Sequence, residues 1–179
     1  MKTTWQPTLS DEAVILKPLE VTDFEALYQV ANDPALWEQH PARDRYKREV
    51  FRSFFDDAIS SQGAFLITDL KNGEVIGSSR YKPVEGVDAA VEIGWSFLAT
   101  AYWGTGMNRR IKQLMLDYAF SQVDYVVFYI AVDNIRSQKA TEKLGATRIS
   151  DFHLPLVKES PQDYTYLISR QHWLENRML

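Results

Sequence analysis

The chain has 179 residues, 45% apolar and 25% charged, with a net charge of −4 and no cysteine. That length suits a single domain over 1–179 with a full hydrophobic core. The missing cysteines exclude disulfides, thiolate catalysis and Cys-based zinc sites, and the mild acidity argues against a nucleic-acid partner, which calls for a strongly basic footprint.

The opening residues, MKTTWQPTLSDEAVILKP, show no basic stretch followed by an apolar one, so no signal peptide is expected. No apolar run approaches the ~18 residues of a membrane helix. We therefore expect no membrane partner and a cytoplasmic location. Three histidines without His-x-x-x-His spacing predict no metal site.

In chain order, Ala13 to Leu19 predicts a first strand. Asp23 is placed to cap a helix whose apolar positions are Ala26, Leu27, Val30 and Ala31, and Asn32-Asp33-Pro34 ends it. Arg45 to Ile59 predicts a second helix with Val50, Phe51, Phe54, Phe55 and Ala58 on one stripe. Ala64 to Thr68 and Val75 to Arg80 read as strands joined by an Asn72-Gly73 turn. After the turn at Glu85 to Asp88, Val91, Ile93, Trp95 and Phe97 alternate with Glu92, Gly94 and Ser96, the period of a fourth strand.

The pattern then changes. Met107, Ile111, Leu114, Met115 and Tyr118 define a helix running to Phe120. Tyr125 to Val132 is the continuous apolar run of a fifth, fully buried strand. A strand, a helix and a buried strand predict a β-α-β step with parallel pairing. Ser137 to Leu144 predicts a short helix stopped by Gly145, with Ser137 a candidate N-cap. Ala146 to Ile149 and Tyr164 to Ser169 close the chain. The fold class is mixed α/β around one central sheet.

Trp103-Gly104-Thr105-Gly106-Met107-Asn108-Arg109-Arg110 lies where the fourth strand gives way to a helix. Two glycines allow a sharp turn and close ligand approach, and the first helical N–H groups have no internal partners. Together they form a phosphate cradle. Two arginines in the first turn are unfavourable by up to about 1 kcal/mol each unless an anion sits there. The segment is neither a Walker A loop, which needs Gly-Lys-Ser/Thr, nor a Rossmann fingerprint, because Arg109 stands where Gly or Ala is needed.

This segment resembles the Q/R-x-x-G-x-G/A loop of the GNAT acyltransferases over Trp103 to Asn108. Gly106 matches its first glycine, while Trp103 and Asn108 depart from it. The W-G-x-G form is similar to the branch of ribosomal-protein N-terminal acetyltransferases. Asn134-Ile135-Arg136-Ser137 with Glu142-Lys143-Leu144-Gly145-Ala146 resembles the family's N-x-x-S…E-K-x-G-F/A segment, and ILKPLEVTDFEALYQV resembles the branch's opening strand. The resemblance covers nearly the whole chain.

The resemblance implies a mostly antiparallel sheet with helices on both faces, splayed at the fourth and fifth strands. It implies that acetyl-CoA lies in the splay as acyl donor. The pyrophosphate would sit on Gly104, Thr105, Gly106, Met107, Asn108 and Arg109, beside Trp103. The pantetheine would pair along Trp95, Phe97 and Leu98 and meet the Asn134 side chain. A primary amine, on a small molecule or a peptide N-terminus, would attack the thioester directly. Glu92 is the implied general base, with His153 the alternative. Ser137 is the implied proton donor to the leaving thiolate, because Thr141 stands where relatives carry a tyrosine. Trp37 and His40 are implied to line the acceptor pocket, and Arg136 and Lys139 are basic residues near the phosphates. The resemblance also leaves room for a homodimer. The departures at Trp103, Asn108 and Thr141 leave a second reading open, a catalytically silent CoA-binding sensor or interaction module.

Overall fold

An eight-stranded sheet organises the computed structural model, which describes residues 4–150, 155–158 and 160–176. Its strands are β1 (Leu9–Ser10), β2 (Val14–Pro18), β3 (Ala64–Asp69), β4 (Val75–Pro83), β5 (Ala90–Leu98), β6 (Tyr125–Ala131), β7 (Thr147–Ile149) and β8 (Asp163–Ser169). The helices are α1 (Phe24–Ala31), α2 (Arg48–Ser61), α3 (Met107–Gln122), α4 (Ile135–Glu142) and α5 (Arg170–Asn176). The sheet order is β1-β2-β3-β4-β5-β6-β8-β7, and β5–β6 is its parallel pair. This is the mixed, mostly antiparallel architecture expected. The two-residue β1 shifts the anticipated fourth and fifth strands to β5 and β6.

Helices cover both faces. On one, Ile111, Met115, Leu116 and Ala119 of α3 pack on Val91, Ile93, Val126 and Ile168. On the other, Leu27 of α1 and Phe51, Phe55 and Ala58 of α2 pack around Phe97 and Trp37. Burial of these apolar stripes, at roughly 25 cal/mol per Å², holds the layers together.

Several boundaries differ from the sequence reading for physical reasons. Asp23 occupies the N-cap position of α1, but its side chain makes no cap hydrogen bond there. Its carboxylate accepts the Glu20 N–H at 2.8 Å, a capping box for the 3-10 turn Val21–Asp23 that leads into α1. α2 begins at Arg48, and Arg45 lies before it with its guanidinium over Phe54. α5 follows β8 directly and is anchored by Trp173, whose indole donates to Asp117 at 2.8 Å.

The largest departure lies within β5. Ser78 pairs with Phe97 and Arg80 with Gly94, so Ser79 faces both Trp95 and Ser96. This is a β-bulge, one extra residue on β5. It reverses the alternation. Val91 and Ile93 face α3, but beyond the bulge Phe97 faces α1 and α2 while Leu98 returns to the α3 side. The expected common face for Val91, Ile93, Trp95 and Phe97 is therefore corrected. Trp95 adopts φ 52°, a left-handed conformation costly for a bulky residue.

β4 and β5 approach so closely beyond the bulge that a Cβ on Gly77 would lie 2.1 Å from the Phe97 carbonyl oxygen. Backbone cannot step aside as a side chain can. Gly77→Ala should therefore cost about 1–3 kcal/mol and lower Tm by roughly 2–10 °C. Thermal unfolding by circular dichroism measures it; an unchanged Tm would mean that β4 and β5 are not held at this spacing.

Candidate active site

β5 and β6 share three parallel pairs, Ala90↔Tyr125, Val91↔Val126 and Glu92↔Val127. Both strands continue, but they no longer pair. The gap is a cavity of about 350 Å³ walled by Ile93 to Leu98 on one side and Phe128 to Ala131 on the other. Unpaired strand edges inside a protein need hydrogen-bonding partners, and an extended ligand with amide groups can supply them.

At one end of this cleft lies the glycine turn. Gly104 and Gly106 have φ of 74° and 88°, and a Cβ built on either would meet nothing within 4 Å. The space beside them is open, and their conformation requires glycine. α3 starts at Met107 with Gly106 as N-cap; the Met107 N–H reaches Thr105 Oγ1 at 3.3 Å and the Arg110 N–H the Gly106 carbonyl at 3.1 Å, which leaves those of Asn108 and Arg109 for an anion. Thr105 Oγ1 donates to the Tyr102 carbonyl at 2.7 Å and shapes the turn. Asn108 lines the cleft, while Met107 packs against the core. The two first-turn arginines separate. Arg110 is neutralised by Asp11 and Glu12 at 2.7 and 2.6 Å, which removes it from the anion argument. Arg109 is exposed, and among the described residues nothing pairs with it. The open turn, the free N–H groups and the unpaired edges fit a pantetheine arm carrying a pyrophosphate.

Trp103 donates its indole N–H to the Leu98 carbonyl at 2.8 Å. That acceptor is therefore occupied, and Leu98 contributes a buried side chain rather than a free edge group. The guanidinium of Arg136 lies 3.8 Å over the Trp103 ring and donates to the Leu36 carbonyl at 3.1 Å. Arg136 thus joins α4 to the 3-10 turn Pro34–Trp37, a contact the sequence reading missed.

Glu92 stands at the last parallel pair, on the face opposite α3. Burial is the first cause that pushes its carboxyl up to about 7, against the pull of Lys82, Lys158 and Arg80. Gly94 lies beside it, and a Cβ there would come within 2.9 Å of Glu92 Oε1. Trp95 is held over Arg80, whose guanidinium lies 4.6 Å from the ring. Arg80 is 3% exposed and bridges to Asp57 at 2.7 Å, with Nε and Nη2 lacking hydrogen-bond partners among the described residues.

On α4 the roles exchange. Asn134, not Ser137, is the N-cap, its Oδ1 accepting the Ser137 N–H at 3.2 Å. Ser137 lies in the first turn and lines the cleft with Asn134. Thr141 is buried at the cleft wall. Lys139 lies in the last turn of α4.

Trp37 lines the cleft but is 2% exposed, with its indole N–H on the Ala31 carbonyl at 2.8 Å. It is as much core as pocket wall. His40 accepts the Ala42 N–H at Nδ1, 2.9 Å away, and meets Arg45 at Nε2. Burial and then Arg45 lower its pKa to about 4, so it is neutral at pH 7. His153 lies outside the described residues.

One cluster was missed altogether. Lys112 of α3 is 6% exposed, and its Nζ lies 2.8 Å from Ser79 Oγ and 2.5 Å from Ser96 Oγ. The two hydroxyls are 2.8 Å apart. The signal was present: a lysine falls on the apolar stripe with Ile111, Met115 and Leu116.

Residues 13–147 match the model of the acetyltransferase (GNAT) domain. The chain therefore belongs to the GNAT acetyltransferase family. It is an acetyl-CoA-dependent N-acetyltransferase. An uncharacterized N-acetyltransferase p20 from Bacillus licheniformis is 26% identical over 122 residues, 65% of this chain and 68% of that one. The fold is similar to a GCN5-related N-acetyltransferase from Brucella melitensis (TM-score 0.80, 18% identity, 94% of this chain and 81% of that one). It is also similar to spermidine N-acetyltransferase from Vibrio cholerae in complex with CoA and spermine (TM-score 0.68, 18% identity, 92% and 99% covered). Among the described residues no group of three or more His, Asp or Glu could hold a metal ion, and no helix is long and apolar enough to cross a membrane.

The raised Glu92 pKa has a consequence for stability. The fold favours the protonated carboxyl, so this contribution is complete below the unfolded value of 4.5 and is lost as pH rises through about 7. The charged form costs at most about 3 kcal/mol. Glu92→Gln should raise Tm above wild type at pH 8 and match it near pH 4. Equal Tm values at pH 8 would show an ordinary, solvated carboxylate.

Proposed function

We propose that the chain transfers the acetyl group of acetyl-CoA directly to a small primary amine, with Glu92 as general base. The observation that carries this reading is the position of Glu92 at the point where β5 and β6 part, half-buried and with a pKa near neutrality. A primary amine with a pKa near that of lysine is almost wholly protonated at pH 7, so a base poised near 7 is suited to receive its proton.

The acyl donor enters from the α3 side. Its pyrophosphate rests on the turn from Gly104 to Asn108 with Arg109 alongside, and its pantetheine follows the open edge of β5 from Trp95 to Phe97. Asn134 and Ser137 face it from α4. The amine enters from the opposite face, past His40, Trp37 and Trp95. The spermine held by the Vibrio cholerae structural relative supports a small-molecule acceptor over a peptide N-terminus. The W-G-x-G turn supports kinship with the ribosomal-protein N-terminal branch, whose fold would serve either acceptor.

Release of free thiol from acetyl-CoA, measured across polyamines, amino acids and short peptides, identifies the acceptor. With the best amine, the acid limb of the rate–pH profile should rise through an apparent pKa near 7, as Glu92 loses its proton. Glu92→Gln should remove that inflection, lower kcat about 10²–10⁴-fold, and lose less at high pH where the free amine forms unaided. Gly94→Ala should also lower kcat by displacing the carboxylate. If Glu92→Gln turns over at the wild-type rate from pH 6 to 9 while His153→Gln abolishes activity, the base is His153.

A further inference from the structure

We propose that Ser96 hands a proton to the sulfur of the departing CoA, and that Lys112 reloads Ser96. This rests on the direct-transfer reading above, and it assigns work to residues that the base and the phosphate cradle leave unused.

The placement comes from the bulge. By inserting one residue at Trp95, it turns Ser96 to the α3 face, whereas Glu92 faces the other way. Ser96 is exposed on the cleft wall. Lys112 reaches the cleft from below, one helical turn after Asn108, and touches Ser96 and Ser79. Removal of the amine proton and delivery of a proton to sulfur are thus separated by the sheet, one group on each face.

The chemistry of Lys112 fits this task. Its hydrogen-bond partners are two hydroxyls, and no carboxylate forms an ion pair with it among the described residues. Burial alone pulls its pKa down to about 7, so the ammonium yields a proton readily at neutral pH. The fold itself does not require a lysine there. A methionine of similar length would occupy the same stripe of α3 without burying a charge.

The step balances. The amine nitrogen bonds to the acetyl carbon, and the carbon–sulfur bond breaks. Sulfur takes the hydroxyl proton of Ser96, and Ser96 takes a proton from Lys112 Nζ, which becomes a neutral amine. The ammonium proton of the amine has already left through Glu92 to solvent, and the second proton, lost by nitrogen as the carbon–nitrogen bond forms, goes to Glu92. The products are the acetamide and CoA thiol, and Glu92 and Lys112 then exchange protons with solvent. Ser96 is the catalytic residue because it touches the sulfur, and Lys112 is a positioning residue that acts through it.

The test compares acetyl-CoA with acetyl-seleno-CoA in the whole protein. The selenium donor keeps every binding group, but its selenol is far more acidic than the thiol, so the selenolate leaves without a proton. With acetyl-CoA, Ser96→Ala and Lys112→Met should each lower kcat about 10²-fold and leave KM for the donor within about twofold. With the selenium donor both should approach wild type. Lys112→Met should keep or raise Tm, because it removes a buried charge. Glu92→Gln should be slow with both donors, so a failure of the direct-transfer reading appears there and a failure of the relay appears in the donor comparison. Equal losses with both donors, wild-type rates with acetyl-CoA, or selenium rescue of Ser137→Ala instead would overturn the relay.

Discussion

The parting of β5 from β6 after Glu92 and Val127 is the constraint on which the rest of the site depends. Strands that separate inside a sheet leave backbone N–H and C=O groups without partners, a cost that folded proteins rarely accept without compensation. Here the surrounding packing holds the gap open. α3 packs on the β5 and β6 segments that still pair, and Trp37 and α2 pack behind Phe97 where they no longer do. Arg136 and Trp103 clamp its rim by joining α4, the turn Pro34–Trp37 and the end of β5. A cleft maintained in this way is already shaped for an extended amide-bearing ligand, so little ordering remains when the donor binds.

The bulge at Trp95 adds direction to that gap. A regular strand would place every second side chain on one face, so Glu92 and Ser96 would point the same way. One inserted residue sends them to opposite faces. The left-handed Trp95 is a strained conformation of the kind that collects at functional sites, and it rests on the buried cation of Arg80. Burial then acts on both faces in the same sense. It raises a carboxyl and lowers an ammonium until each lies near 7, where both can exchange protons at neutral pH.

Much of this was legible in the sequence. The start of α3 at Met107, the Asn72-Gly73 hairpin, the parallel step from β5 to β6 and the stop at Gly145 all follow from glycine chemistry and apolar period. The glycine turn before α3 was legible because its glycines sit between a strand and a helix. What stayed hidden is tertiary. A bulge leaves no mark in a strand that alternates as regularly as Val91 to Phe97. The partners of Arg110, Asp11 and Glu12, lie about a hundred residues away. Ser137 and Asn134 are both good caps by type, and only the entry path of the chain chose Asn134. Lys112 was visible as a charge on an apolar stripe, but its hydroxyl partners come from two strands whose register the bulge sets.

The central claim is that the gap between β5 and β6 holds the acyl donor, with its phosphates on the turn before α3. A crystal structure of the chain with bound CoA tests it most directly. The account predicts pyrophosphate oxygens on the N–H groups between Gly104 and Arg109, pantetheine amides on the open edge of β5, and the sulfur on the Ser96 side of the sheet with Glu92 across from it. CoA seated elsewhere, or a cleft in which β5 and β6 pair along their full length, would contradict it.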